Sequence, residues 1–401
     1  MQLAQRLNSI AEPQTIKMAK LSRELKAKGI SVIDMSLGEP DFGVPEHIKE
    51  AAIKAINDGY SKYTPVVGYP DLLEAISTKL KRDNNLNYPP NQIMVSTGAK
   101  QSLMNAVMAI VNPGDEVIIP TPFWVTYATQ VEMAGGIVKY VHCPVEQDFK
   151  LTPEQLEDAI SPKTRLFMFS SPCNPSGSVY SREELAGLVE VFKKYPQIVI
   201  ISDEIYEYIN FVGGHESIAQ FDEIYDRVIV INGMSKGFAM TGWRLGYMAG
   251  PREVIQACDK LQAQFTSGTN SVAQRASITA LLSDLAPTHK MTEEYRKRRD
   301  FIVSELRGMP GIKANEPHGA FYAFPDVSAY FGASDGEHVI KNDDDFAMFM
   351  LNTAHVSTVC GSAFGSPDCI RLSYATSMEN IAEAMNRMRT ALATLKMPVA
   401  F

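Results

Sequence analysis

Apolar residues occur along the chain in short unbroken runs, and between those runs they recur at helical spacing. Ile93 to Ser96, Asp115 to Pro120, Gly136 to Val141, Thr164 to Phe169, Ile198 to Ser202 and Val228 to Ile231 predict strands. Gln101 to Val111 predicts an amphipathic helix directly after the first of them. This alternation predicts an α/β domain over residues 45–290, with a mostly parallel mixed sheet flanked by helices. Beyond it the character changes. A charged helix over Thr292 to Leu306 is followed by a strand over Gly319 to Phe324 and a helix from Asp343 through Met350. Ile370 to Tyr374 predicts a last strand before a final helix. The first 30 residues read as a helix closed by Gly29, a suitable C-cap, and then a short strand, Val32 to Met35. Residues 1–44 and 291–401 are therefore expected to form a second, smaller α+β domain.

A chain of 401 residues can bury one large core or two smaller ones. Its formal net charge of −8 argues against nucleic acid or an anionic membrane as the main partner. The five scattered cysteines suggest reduced thiols and a cytoplasmic protein. No zinc-binding spacing, phosphate-loop motif or long apolar span is present.

The candidate chemistry collects where strands end, the usual place for ligands in such sheets. Lys236 follows the Val228 to Ile231 run in a loop of small residues, where partial desolvation would lower its pKa and free its amine as a nucleophile. Arg244 offers a planar fork suited to a phosphate. An amine for an aldehyde and a guanidinium for a phosphate describe a pyridoxal phosphate site. The alternative for Lys236 is a solvated loop charge. Gly98, Ala99 and Lys100 form a strand-to-helix turn able to receive a phosphate, or a plain connection. Trp124 suits stacking on a flat ring, or the core. Asn174 sits in a rigid turn and can donate to a ring oxygen or carboxylate. Asp203 leaves an apolar strand, Ile198 to Ser202, which is costly unless a cation such as a protonated pyridine nitrogen pairs with it; otherwise it caps a following helix. Arg371 alternates with apolar neighbours and can bind a carboxylate bidentately, or lie at a sheet edge. Gly38 permits close backbone approach to a ligand. A different chemistry is also written here. Gly233-Met234-Ser235-Lys236-Gly237 fits the nucleophile elbow of serine hydrolases, with His318 or His355 as the base.

Taken together, Ser171-Pro172-Cys173-Asn174-Pro175-Ser176-Gly177, Ser202-Asp203-Glu204-Ile205-Tyr206, Ser235-Lys236-Gly237-Phe238-Ala239-Met240-Thr241-Gly242-Trp243-Arg244 and Ile370-Arg371-Leu372-Ser373-Tyr374 carry a resemblance. The sequence resembles the class I, fold-type I pyridoxal-phosphate-dependent aminotransferases, above all the gamma-type prokaryotic aspartate aminotransferases, over nearly its whole length. The resemblance implies that Lys236 carries pyridoxal 5′-phosphate, Asp203 faces the ring nitrogen, and Tyr206 and Asn174 reach the ring hydroxyl. Gly98, Ala99, Lys100, Ser235 and Arg244 would surround the phosphate or the substrate mouth, and Trp124 would lie against ring and substrate. Gly38, Asn174 and Arg371 would receive the α-carboxylate, and Lys100 with Thr15 the distal one. Tyr63 would reach the phosphate of a neighbouring subunit, which implies a homodimer with shared active sites. The implied reaction moves the amino group of aspartate to 2-oxoglutarate by ping-pong kinetics; the same constellation also serves carbon–sulfur lyases. Relatives that use prephenate carry a basic residue near the N-terminal segment, where this chain has Glu12, so aspartate ranks first. Gly233 replaces a phosphate-binding serine of some relatives, which predicts one fewer phosphate contact.

Overall fold

The apolar runs assemble into one seven-stranded sheet. Across it lie Ile93–Ser96, Gly246–Ala249, Val228–Gly233, Val199–Asp203, Thr164–Ser170, Glu116–Thr121 and Ile137–His142, in that order. The structure, a computed structural model, describes residues 3, 4, 7, 10 and 14–397. Gly246–Ala249 runs antiparallel to both neighbours, and the pairs from Val228–Gly233 to Ile137–His142 are parallel. The central strands are buried along almost their whole length, as parallel strands covered by helices on both faces should be. One face packs Ile76, Phe167, Ile200 and Val230 against Leu188 and Ala276. The other packs Val117, Met168, Ile201 and Ile231 against Leu103 and Ile255.

A second core holds Ile33, Met35, Tyr295, Ile302, Phe321, Phe346, Leu372 and Met388. Here Ile33–Asp34 pairs in parallel with Val356–Ser357, tying the N-terminal segment to the C-terminal one. Ile370–Ser373 is the middle of a three-stranded antiparallel sheet, between Val359–Cys360 and Tyr322–Ala323. The first helix spans Gln14–Ala27. The charged helix is longer than its pattern predicts, running from Ala286 to Arg307 with Pro287 in its first turn, where a missing N–H costs nothing. The expected strand at Gly319 to Phe324 shrinks to two residues. The helix from Asp343 ends at Phe349 and widens into a π turn, Met350–Ala354.

Candidate active site

Parallel strands deliver their C-terminal ends to one edge of the sheet, and the candidate residues stand there. Asp203 is the last residue of its strand, Lys236 follows Val228–Gly233, Asn174 follows Thr164–Ser170, and Trp124 follows Glu116–Thr121. Arg244 precedes Gly246–Ala249, and because that strand is antiparallel its beginning lies at the same edge. Together they line a cavity of about 510 Å³, closed from the other side by Thr15, Gly38, Tyr322 and Arg371.

Lys236 reaches across this cavity and donates to the Gly38 carbonyl at 2.6 Å. Burial, together with Arg371 and Arg244, lowers its pKa from 10.5 to about 8. Asp203 is 4 % exposed. One of its oxygens accepts from the Tyr127 hydroxyl at 2.6 Å, the other from the Ile205 N–H at 3.2 Å. Burial raises its pKa from 3.8 to about 6 against those two donors. Residues 205–208 form turns and no helix follows directly, so Asp203 caps none. It is a buried carboxylate held by neutral donors on the wall of a cavity, an arrangement suited to a cation from outside.

Arg371, 2 % exposed, donates to Asn174 Oδ1 at 3.0 Å and to the Ser36 carbonyl at 2.6 Å. Its Nε is buried without a partner. The guanidinium is thus aimed at the cavity by two fixed acceptors, which suits a carboxylate. At the opposite end, the helix Ala99–Ile110 begins at Gly98 with no side-chain cap, leaving its first N–H groups free. Gly98 has φ +82°, and a Cβ there would sit 2.4 Å from Arg244 Nη2. The helix N-terminus and Arg244 thereby form an anion cradle that only glycine leaves open. Lys100 stands at its mouth, 4.9 Å over the Trp124 ring, with its pKa lowered by burial and by Arg244. Ser235 and Thr15 also line the cavity.

Some candidates are placed elsewhere. Tyr63 is 97 % exposed and does not line the cavity. Gly233 lies below it, where a Cβ would stand 2.8 Å from Gly246 Cα, so this backbone leaves no room for serine. No histidine among the described residues lines the cavity beside Ser235, so the hydrolase reading lacks its base. Glu12 lies outside the described residues. The sequence reading missed Tyr127 and Tyr322. Tyr127 stands three positions after Trp124 and packs edge-on against it at 5.7 Å, a helical aromatic spacing visible in the sequence.

Residues 30–388 match the family described as aminotransferase class I and II. The aspartate/prephenate aminotransferase of Nitrosomonas europaea is 44 % identical over 396 residues, which are 98 % of this chain and 100 % of that one. A bifunctional aspartate aminotransferase and glutamate/aspartate-prephenate aminotransferase of Petunia hybrida is 43 % identical, over 99 % of this chain and 84 % of its own length. Among solved structures, the aspartate aminotransferase of Rhizobium meliloti superposes with a TM-score of 0.96 at 41 % identity, covering 99 % of this chain and 100 % of that one. The Thermus thermophilus aspartate aminotransferase with maleate gives 0.92 at 37 % identity, covering 98 % and 100 %.

Proposed function

We propose, from the premise that the chain belongs to the class I and II aminotransferases, that it moves the α-amino group of aspartate to 2-oxoglutarate with pyridoxal 5′-phosphate as its cofactor. The reading rests on one juxtaposition: an amine of lowered pKa, a buried carboxylate without a cation, a carboxylate-binding arginine and an anion cradle around a single cavity. The helix start at Ala99 with Arg244 suits the phosphate, Asp203 the ring nitrogen, Tyr206 the ring hydroxyl, and Lys236 the aldehyde. When bound, the cofactor supplies an aldehyde that condenses with amines and a protonated ring that accepts the electron pair of the α-carbon.

The chain's own residues then divide the labour. Asp203 holds the proton on the ring nitrogen, because releasing it would strand a buried carboxylate. Arg371 and Asn174 hold the α-carboxylate and so orient the α-carbon. Lys236, partly uncharged near neutral pH, takes the proton from the α-carbon of the donor and returns one to the α-carbon of the acceptor. Lys100 and Thr15 meet the distal carboxylate. Tyr63, an aromatic left in solvent on an isolated chain, supports a homodimer in which it reaches the neighbouring site. We divide the chain into residues 45–290 and 1–44 with 291–401, the helix Ala286–Arg307 passing from one to the other. Five buried free cysteines suit a reducing cytoplasm.

Prephenate is a second acceptor, favoured by the aminotransferases of petunia and Nitrosomonas whose names include it. The test is a two-substrate initial-rate study with aspartate and 2-oxoglutarate, repeated with prephenate as acceptor. Parallel double-reciprocal lines are expected. Intersecting lines, or a purified protein without yellow colour that hydroxylamine removes, would overturn the proposal.

A further inference from the structure

Tyr322 is 1 % exposed and belongs to no motif singled out in the sequence, yet it touches three groups of the site. Its hydroxyl lies 2.7 Å from the Tyr206 hydroxyl. Its ring lies 4.6 Å from the guanidinium carbon of Arg371. The same hydroxyl fills the space next to Gly38, where a Cβ would come within 2.5 Å of it. Gly38 in turn supplies the carbonyl that holds Lys236. This placement follows from strand register. Tyr322 pairs with Ser373, two residues beyond Arg371, so Arg371 and Tyr322 are diagonal neighbours across the antiparallel ladder.

We propose that Tyr322 is a positioning residue that fixes the donor direction of the Tyr206 hydroxyl and holds the Arg371 guanidinium flat for the substrate α-carboxylate. The inference rests on the function proposed above. Each phenol has one proton to give. If Tyr206 gives its proton toward the cofactor's ring oxygen, its own oxygen must accept, and Tyr322 is the donor in reach. Burial raises the pKa of both phenols, so both protons stay in place. The ring of Tyr322 works on the other group. A guanidinium over an aromatic face is attracted to it and kept from turning.

Two variants separate these roles. Tyr322→Phe removes the hydroxyl and keeps the ring, whereas Tyr322→Leu removes both. The readouts are the pH at which the visible absorption of the pyridoxal-phosphate-loaded enzyme changes, and the KM for aspartate. A weaker donor at the ring oxygen favours its protonated form, so the transition in Tyr322→Phe should move to higher pH by about half to one unit. Its aspartate KM should stay within about twofold. Tyr322→Leu should show the same transition and an aspartate KM raised about two- to thirty-fold. An unmoved transition in Tyr322→Phe overturns the proposal, as does an equal rise of KM in both variants or an unmoved KM in Tyr322→Leu. Should the leucine variant fail to fold, the absorbance of the phenylalanine variant decides alone. A wild-type protein that takes up no pyridoxal phosphate would instead defeat the function proposed above.

Discussion

Replacing Lys236 by methionine should stabilise the cofactor-free protein at neutral pH, although it removes the residue on which the reaction is proposed to depend. The pKa of Lys236 falls from 10.5 in an exposed chain to about 8 in the fold, burial being the main cause. At about 1.4 kcal/mol per pH unit, the fold bears about 3 kcal/mol for keeping this amine where it is. Methionine has nearly the same length and no charge, but leaves the Gly38 carbonyl without its donor, a loss of about 1 kcal/mol. A net gain of about 2 kcal/mol follows at pH 7. Because the folded pKa is the lower one, the penalty is fully present below pH 8. It is relieved between pH 8 and 10.5, where the unfolded chain still holds a proton that the folded chain has released. Urea unfolding of cofactor-free wild type and Lys236→Met should therefore show the gap shrinking to under about 1 kcal/mol by pH 9.5. A variant less stable than wild type at pH 7, or a gap that does not change with pH, would refute the reasoning. The same variant should show no measurable transamination.

Lys100→Ala should cut kcat/KM on aspartate by about ten- to a hundred-fold and on alanine or phenylalanine much less, since an ammonium paired with a carboxylate is worth about 1.5–3 kcal/mol. An equal loss on all substrates would assign Lys100 to the phosphate instead. Asp203→Asn should bind the cofactor but lose at least about two orders of magnitude in turnover, in line with removing a preorganised charge from a dry site. Unchanged turnover would leave Asp203 as nothing more than the acceptor for Tyr127 and the Ile205 N–H.

The central strands of the large sheet were legible because burial on both faces makes each a nearly unbroken apolar run, whereas the edge strand Ile137–His142 is only partly buried. Gly246–Ala249 was not legible, since it opens on a glycine and follows the functional loop at Arg244 without a turn signal. The strand expected from Gly319 shrank for a physical reason. The N–H groups of His318 and Gly319 are taken by the Gly177 carbonyl and that of Ala320 by Ile209, and Ala320 sits at φ +56°. The pattern of Phe321 and Phe324 shows that the segment is buried, not what its backbone pairs with. Lys236 and Asp203 could be singled out because each is a charge just after an apolar strand, and Arg371 because it interrupts one. Tyr322 could not, because a tyrosine in an apolar stretch is ordinary and its partner Tyr206 lies 116 residues away; Tyr127 offered only its spacing from Trp124, with its partner Asp203 76 residues away.

Charge also separates the cavity from the rest of the molecule. Where an ion pair serves the fold, the partners secure each other's charge. Burial opposes ionisation of Asp83, yet its hydrogen bond with Arg82 lowers its pKa and raises that of Arg82. In the cavity the direction reverses. Burial pushes Lys236, Lys100 and Arg371 down and Asp203 up, each toward its neutral form. Four cationic side chains (Lys100, Lys236, Arg244, Arg371) face two carboxylates (Glu39, Asp203), an excess of two positive charges in a chain of net charge −8. Cations that outnumber the carboxylates they face, two of them (Lys236 and Arg371) desolvated, make a poor stabilising network, so holding the fold together does not account for them. A phosphate, an α-carboxylate and a distal carboxylate would supply the missing negative charge, and a ring N–H the missing positive charge at Asp203. The cofactor and a dicarboxylic amino acid bring those groups together, and a monocarboxylic substrate would leave the Lys100 end of the cavity unmatched.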